Sequence, residues 1–171
     1  TWTATDTSGN SASISQIINV IDTSAPLLDI PQNIIIDAVN TTNFVEIGLA
    51  SVEDIIDDSP IITNDAPEVF PLGETLVTWT ATDTSGNSAS ATQIISVIDT
   101  TSPTVMVPND IQIEATSIDA NIVEFGSAEA SDLVEISSIT NDAPKIFPLG
   151  ETLVTWTTAD TSGNSASATQ I

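Results

Sequence analysis

The chain has 171 residues and sets 24 acidic side chains against one basic one, Lys145, for a formal charge of −23 at neutral pH. Such a chain repels nucleic-acid phosphates and anionic membrane surfaces, which argues against both as partners, yet 40% of its residues are hydrophobic and fall in short runs, unlike a disordered acidic tail. It has no histidine, cysteine or tyrosine, which excludes thiol nucleophiles, Ser-His relays, disulfides, N/S zinc sites and haem ligation, and no run approaches the roughly 18 apolar residues of a membrane span.

From the N-terminus, Trp2 opens the phrase WTATDTSGNSAS, which returns at Trp79 and, as WTTADTSGNSAS, at Trp156. The tryptophans are 77 residues apart in both steps, and Pro26, Pro31, Asn64, Phe70 and Gly73 return at the same spacing as Pro103, Pro108, Asn141, Phe147 and Gly150. A period of this length suits a small domain better than a solenoid turn. The expected organisation is residues 1–21 as the closing hairpin of one module, 22–98 as a full module and 99–171 as a second, nearly complete one. The chain then reads as a window on a longer tandem array, and residues 1–21 are expected to complete a sandwich with an upstream module or another subunit.

Within a module, Ile34, Ile36 and Ala38 share one phase, repeated by Ile111, Ile113 and Ala115, and predict a first strand. Val45, Ile47 and Leu49 alternate with Glu46 and Gly48 and predict a second, repeated by Val123 and Phe125 around Glu124. Prolines and a glycine then punctuate the chain at Pro60, Pro67, Pro71 and Gly73. Val77, Trp79 and Ala81 point one way and Thr78, Thr80 and Thr82 the other, the period-two pattern of a half-buried strand. The phrase TDTSGN is a hairpin turn in which Gly86 supplies a left-handed residue and Asp83 and Asn87 hydrogen-bond locally. The last strand, Ser88 to Ile98, puts Ala89, Ala91, Ile95 and Val97 on one side. No window shows helical periodicity. The fold class is all-β: tandem immunoglobulin-like antiparallel β-sandwiches.

Pro103, Pro108-Asn109-Asp110-Ile111, the Phe147-Pro148-Leu149-Gly150 turn, and Val154-Thr155-Trp156 running into Asp160-Thr161-Ser162-Gly163-Asn164 together resemble the hyalin repeat (HYR) family. The resemblance covers both long modules in order. It implies immunoglobulin-like modules in tandem on extracellular or cell-surface proteins, with a structural or adhesive role and no catalytic activity. Many members carry a cysteine pair; this chain has none, so each module must hold by its core alone.

In such a sandwich the entry to the domain, the loop after the second strand and the final hairpin lie at one end. That end collects Asp22, Asp54, Asp83 and Asn87 in the full module, and Asp99, Asp132, Asp160 and Asn164 in the next. Asp57, Asp58 and Glu135 lie in the same loops. Two carboxylates about 4 Å apart at an effective dielectric near 20 repel by roughly 4 kcal/mol, and an oxygen-only donor set suits calcium, which would stiffen the linker from Asp99 to Pro103. Solvated loop acids are the alternative. Asn40-Thr41-Thr42 is the single N-glycosylation sequon, and Phe44 is the one aromatic ring expected to be exposed. The expected function is a structural component of an extracellular rod or filament whose partners are copies of itself, or else the stalk of a ligand-binding adhesin.

Overall fold

The computed structural model describes all residues from 1 to 171. There is no helix, and hence none long and apolar enough to cross a membrane. In chain order the strands are β1 (Trp2–Thr5), β2 (Ser11–Ile14), β3 (Leu27–Asp29), β4 (Ile34–Asp37), β5 (Thr42–Asn43), β6 (Ser51–Glu53), β7 (Ile61–Asn64), β8 (Phe70–Pro71), β9 (Gly73–Thr82) and β10 (Ser88–Ile98). They continue with β11 (Thr104–Met106), β12 (Glu129–Ser131), β13 (Ile136–Asn141), β14 (Val154–Asp160) and β15 (Ser165–Gln170). Two compact units are formed, one from residues 1–30, 50–64 and 79–91, the other from 31–49, 65–78 and 92–171.

In the first unit β1 and β2 form a hairpin with Trp2 opposite Ile14, β3 pairs with β6, and β7 pairs antiparallel with the end of β9, Asn64 opposite Trp79. Trp79 and Ala81 are buried while Thr80 and Thr82 lie half-exposed, so the strand phase read from the alternation holds. Trp2, in the same phrase, is 69% exposed against 4% for Trp79, because hairpin β1–β2 is covered by nothing else in the chain.

In the second unit β11 pairs with β12, and β13, β14 and β15 form an antiparallel sheet in which Trp156 faces Asn141 and Ala168. Its core joins Ala128, Val154 and Trp156, against which Val105, Val107, Phe125, Ala143 and Phe147 pack. The Phe125 ring lies 5.9 Å from Phe147 and 5.8 Å from Trp156.

Three expectations about strands need correction. The pairing is not antiparallel throughout: β10 runs parallel to β4, Ile95 beside Ile34 and Ile98 beside Asp37. A parallel pair needs a long crossover, and the chain supplies it by laying down β5 to β9 in between. Residues 44–50 form no ladder strand, and Leu49 is 94% exposed, not inward with Val45 and Ile47. The cause is Gly48, whose φ of 86° shifts the alternation by one, so that Ala50 takes the inward place. Gly126 (φ 84°) does the same before Ala128. A Cβ would meet Pro31 at 3.1 Å from position 48 and Pro108 at 3.2 Å from position 126, so each glycine also permits a close approach to a proline. Finally, residues 111–115 and 123–125 also lie outside the ladders.

What the missing ladder would supply, a buried amide supplies. Gln93 Nε2 donates to Gln32 O at 2.8 Å and Ile47 O at 3.0 Å; Gln170 Nε2 donates to Asn109 O at 2.8 Å and Phe125 O at 3.1 Å. Both glutamines are buried. Gln170→Leu keeps the volume but strips two carbonyls of their donor, and should cost its module about 1–3 kcal/mol in chemical denaturation. A loss within 0.5 kcal/mol would show that water replaces the amide.

Candidate metal centre

The turn TDTSGN folds the same way three times. Asp6 Oδ1 accepts from the backbone N–H of Ser8 and Asn10, both at 2.9 Å, and its Oδ2 accepts from Asn10 Nδ2 at 2.8 Å. Asp83 accepts from the Asn87 backbone and side chain at 2.7 Å each, and Asp160 from those of Asn164 at 2.9 Å each. Gly9, Gly86 and Gly163 all have φ near 90°, the left-handed residue the turn demands. Since Asp6 sits on an exposed hairpin, this wiring is local to the phrase.

These bonds favour the ionised carboxylates and lower their pKa. For Asp6, the Asn10 side-chain amide and then its backbone N–H hold the carboxyl below its usual 3.8. For Asp83 and Asp160, burial pushes the carboxyl up, but the amides of Asn87 or Asn164 and neighbouring N–H groups together outweigh it, and the net direction is down. A carboxyl lowered on folding contributes stability that is whole above its unfolded value, 3.8, and disappears as pH falls from there through the folded value. The contribution of these three turns to the denaturant midpoint should therefore be complete above about pH 4.5 and diminish as the pH falls below 3.8. A flat profile to pH 2 would disprove the assignment.

Three segments meet at each buried turn. The carboxylates of Asp22, Asp54 and Asp83 converge in the first unit, and those of Asp99, Asp132 and Asp160 in the second, with one oxygen of each within 4.8 Å of the others in its group. Asp83, Asp99 and Asp160 are buried; Asp22, Asp54 and Asp132 are half-buried. Their other bonds orient them: Asp22 Oδ1 accepts from Ser24 N, Asp99 Oδ1 from Thr101 N, Asp132 Oδ1 from Leu133 N, and Asp54 Oδ1 from both Ile56 N and Asp57 N. Asp22 Oδ2 and Asp132 Oδ2 are buried with no hydrogen-bond partner. A buried carboxylate oxygen without a donor is costly, so each cluster has one oxygen that a cation would satisfy.

Asn87 and Asn164 are beside the clusters, with their amide nitrogens toward the carboxylates. Asn87 Nδ2 reaches Asp22 O at 3.4 Å, and Asn164 Nδ2 reaches Asp99 O at 3.2 Å. They act as braces between the hairpin turn and the entering chain. Asp57 is tied elsewhere, its Oδ2 accepting from Thr84 N at 2.8 Å, while Asp58 and Glu135 are exposed. Asn40 is exposed in the turn between β4 and β5, and Phe44 is exposed as well. The sequence reading missed Asn43 and Asn121, buried amides that close this turn and its counterpart in the later module: Asn43 Oδ1 accepts from Val39 N and Asn40 N, and Asn121 Oδ1 from Thr116 N and Ser117 N. Their recurrence one residue out of step, where the repeat register slips, was the signal.

A β-sandwich module whose entry segment, inter-strand loop and closing hairpin turn share a carboxylate cluster, repeated along one chain, defines a tandem immunoglobulin-like repeat protein. The HYR domain profile matches residues 21–97 and 98–170, and the chain belongs to the HYR domain family, in general terms one of extracellular repeat proteins. Hyalin from Strongylocentrotus purpuratus is 36% identical over 99% of this chain, and hyalin from Lytechinus variegatus 32% over 99%. The sushi, von Willebrand factor type A, EGF and pentraxin domain-containing protein 1 of Rattus norvegicus is 42% identical over 57% of the chain. The chain spans 15% and 35% of the two hyalins and 3% of the rat protein.

Proposed function

We propose that this chain is a non-catalytic structural segment of an extracellular or cell-surface array, in which HYR modules are joined end to end, stiffened by calcium and packed with copies of themselves. The observation that carries the reading is the place of Asp99. It follows Ile98, the last residue of β10, directly, yet its carboxylate already belongs to the cluster of Asp132 and Asp160, and Asn164 grips its carbonyl. No free linker residue separates the end of one module's strand from the next module's centre.

Calcium fits the donor set. It takes six to eight oxygens at about 2.3–2.6 Å, so carboxylate oxygens within 4.8 Å of one another suit one shared ion. Asp22, Asp54 and Asp83 would hold one ion and Asp99, Asp132 and Asp160 another, with Asn87 and Asn164 bracing the carboxylates. Bound there, calcium would offset the mutual repulsion of three acids and fix the entering chain. Asn40 would be the glycosylated residue in a secreted form of the chain.

Small-angle scattering of the 171-residue chain, in millimolar calcium and in excess chelator at matched ionic strength, tests the stiffening. A longer and narrower distance distribution in calcium is expected. Identical profiles in the two would leave the acids as solvated loops and remove calcium from the reading.

A further inference from the structure

Lys145, the one basic side chain among 24 acidic ones, stands in the turn between β13 and β14. The turn reads Asp142-Ala143-Pro144-Lys145-Ile146-Phe147-Pro148-Leu149-Gly150-Glu151, with no acid between its two ends. Lys145 is exposed, and Ile146 is 52% exposed. At one end Asp142 N donates to Thr155 O at 3.2 Å, and Asp142 Oδ1 accepts from Thr155 N at 2.6 Å. At the other, Phe147 N donates to Asn121 O at 2.9 Å and Phe147 O accepts from Asn121 N at 3.1 Å. Between these anchors Lys145 and Ile146 belong to no strand and make no backbone hydrogen bond. The exposure is a property of the turn itself, because Glu68, the equivalent residue of the complete module, is also exposed and outside any strand.

A serine protease of the trypsin class selects a basic side chain, whose cation enters a pocket that holds a carboxylate. It takes its substrate as an extended segment, by main-chain pairing with the cleft. Pro144 suits that conformation, since its own φ is fixed and it holds Ala143 extended. Ile146, not a proline, follows the scissile bond. Opening the pairing of Phe147 with Asn121, and the bond from Leu149 N to Ile118 O, frees the segment without unfolding the sheet. We propose that the Lys145–Ile146 bond is a processing site for a trypsin-class protease, and that cutting it dismantles the later module while sparing the earlier one. The protease serine attacks the Lys145 carbonyl carbon, the Ile146 nitrogen leaves with a proton, and water then hydrolyses the acyl-enzyme. One water is consumed, and Lys145 gains a carboxylate while Ile146 gains an ammonium group. After the cut, β14 and β15 stay with the rest of the module by non-covalent packing alone. They carry Val154 and Trp156 of the core, and Asp160 and Asn164 beside Asp99. In a small module without a disulfide that packing is marginal. The earlier module is spared because its turn offers Glu68, an acid, to an acidic pocket. The inference does not depend on whether the carboxylate clusters hold calcium.

The test is limited digestion of the folded 171-residue chain with trypsin, read by mass spectrometry and by gel filtration without denaturant. One cut is expected, giving residues 1–145 and 146–171, which elute apart. Lys145→Glu should resist. Adding Glu68→Lys to that variant should move the cut to the same turn of the complete module, at a rate within about tenfold of the parent's. Thr80→Lys or Thr157→Lys, added to Lys145→Glu instead, puts the lysine inside a paired strand. Where such a variant melts as the parent does, it should be cut at least about a hundredfold more slowly, because the ladder must open first. A folded chain that trypsin leaves whole, or equal rates for turn and ladder lysines, would show that the turn is not a site. Fragments that elute together as the intact chain does would show that the module survives the cut. Any of these results overturns the proposal.

Discussion

Trp156→Ala is expected to destabilise its module by about 3–5 kcal/mol, the cost of removing a large core ring. The ring is buried against Phe125, and its Nε1 donates to Gln170 Oε1 at 3.2 Å. Gln170 in turn holds the carbonyls of Asn109 and Phe125. Loss of the indole thus opens a cavity and leaves an acceptor of a buried amide without its donor. With no disulfide to limit the unfolded chain and a module near the size at which cores become marginal, this is a large fraction of what is there. Trp156→Phe separates the two contributions, since it keeps most of the packing and loses the hydrogen bond, for about 1 kcal/mol on the second account. Urea midpoints measured with an unchanged slope give both numbers. A Trp156→Ala loss below about 1 kcal/mol would mean the ring is not a core element.

That core was legible because β9 and β14 are amphipathic on a strict period of two, with tryptophan between valine and alanine in the inward phase of β9 and between valine and threonine in that of β14. The alternation failed where glycine interrupts it. At Gly48 and Gly126 a left-handed residue shifts the phase, and no count of apolar positions before it can anticipate where the next side chain turns. Gln93 and Gln170 were legible in principle, being the polar residue within the inward phase of the last strand. Their meaning needs the partner carbonyls of Ile47 and Phe125, which lie some 45 residues away and outside any ladder. The parallel pairing of β10 with β4 was not legible either, since strand patterns carry no direction. For the candidate centre, topology was enough to bring Asp22, Asp54 and Asp83 together from three segments, and likewise Asp99, Asp132 and Asp160. The finer roles were set by hydrogen bonds that spacing cannot specify: Asn87 and Asn164 turn their amide nitrogens toward the carboxylates, and Asp57 ties down Thr84.

The melting temperature should rise with calcium, by an amount fixed by how far the ion exceeds its dissociation constant. An ion that binds only the folded chain adds about 2.7 kcal/mol at a hundredfold excess, on the order of 10–20 °C for a domain of this size. The physical cause is the two buried oxygens, Asp22 Oδ2 and Asp132 Oδ2, that have no donor, each set among carboxylates that repel one another. Without a cation the folded state bears that repulsion and the unfolded chain does not. Magnesium, which demands closer octahedral oxygens and dehydrates reluctantly, should shift the transition less at the same concentration. Asp132→Asn removes one charge and keeps the shape of the side chain, so its module should melt higher in chelator than the parent and respond less to calcium. The cluster at Asp22, Asp54 and Asp83 lies in the other compact unit, and its calcium response should persist in that variant. Calorimetry resolves the two transitions. If Asp132→Asn lowers stability in chelator, the carboxylate is held by its protein neighbours and the repulsion argument fails, because relief of charge must raise a state strained by charge.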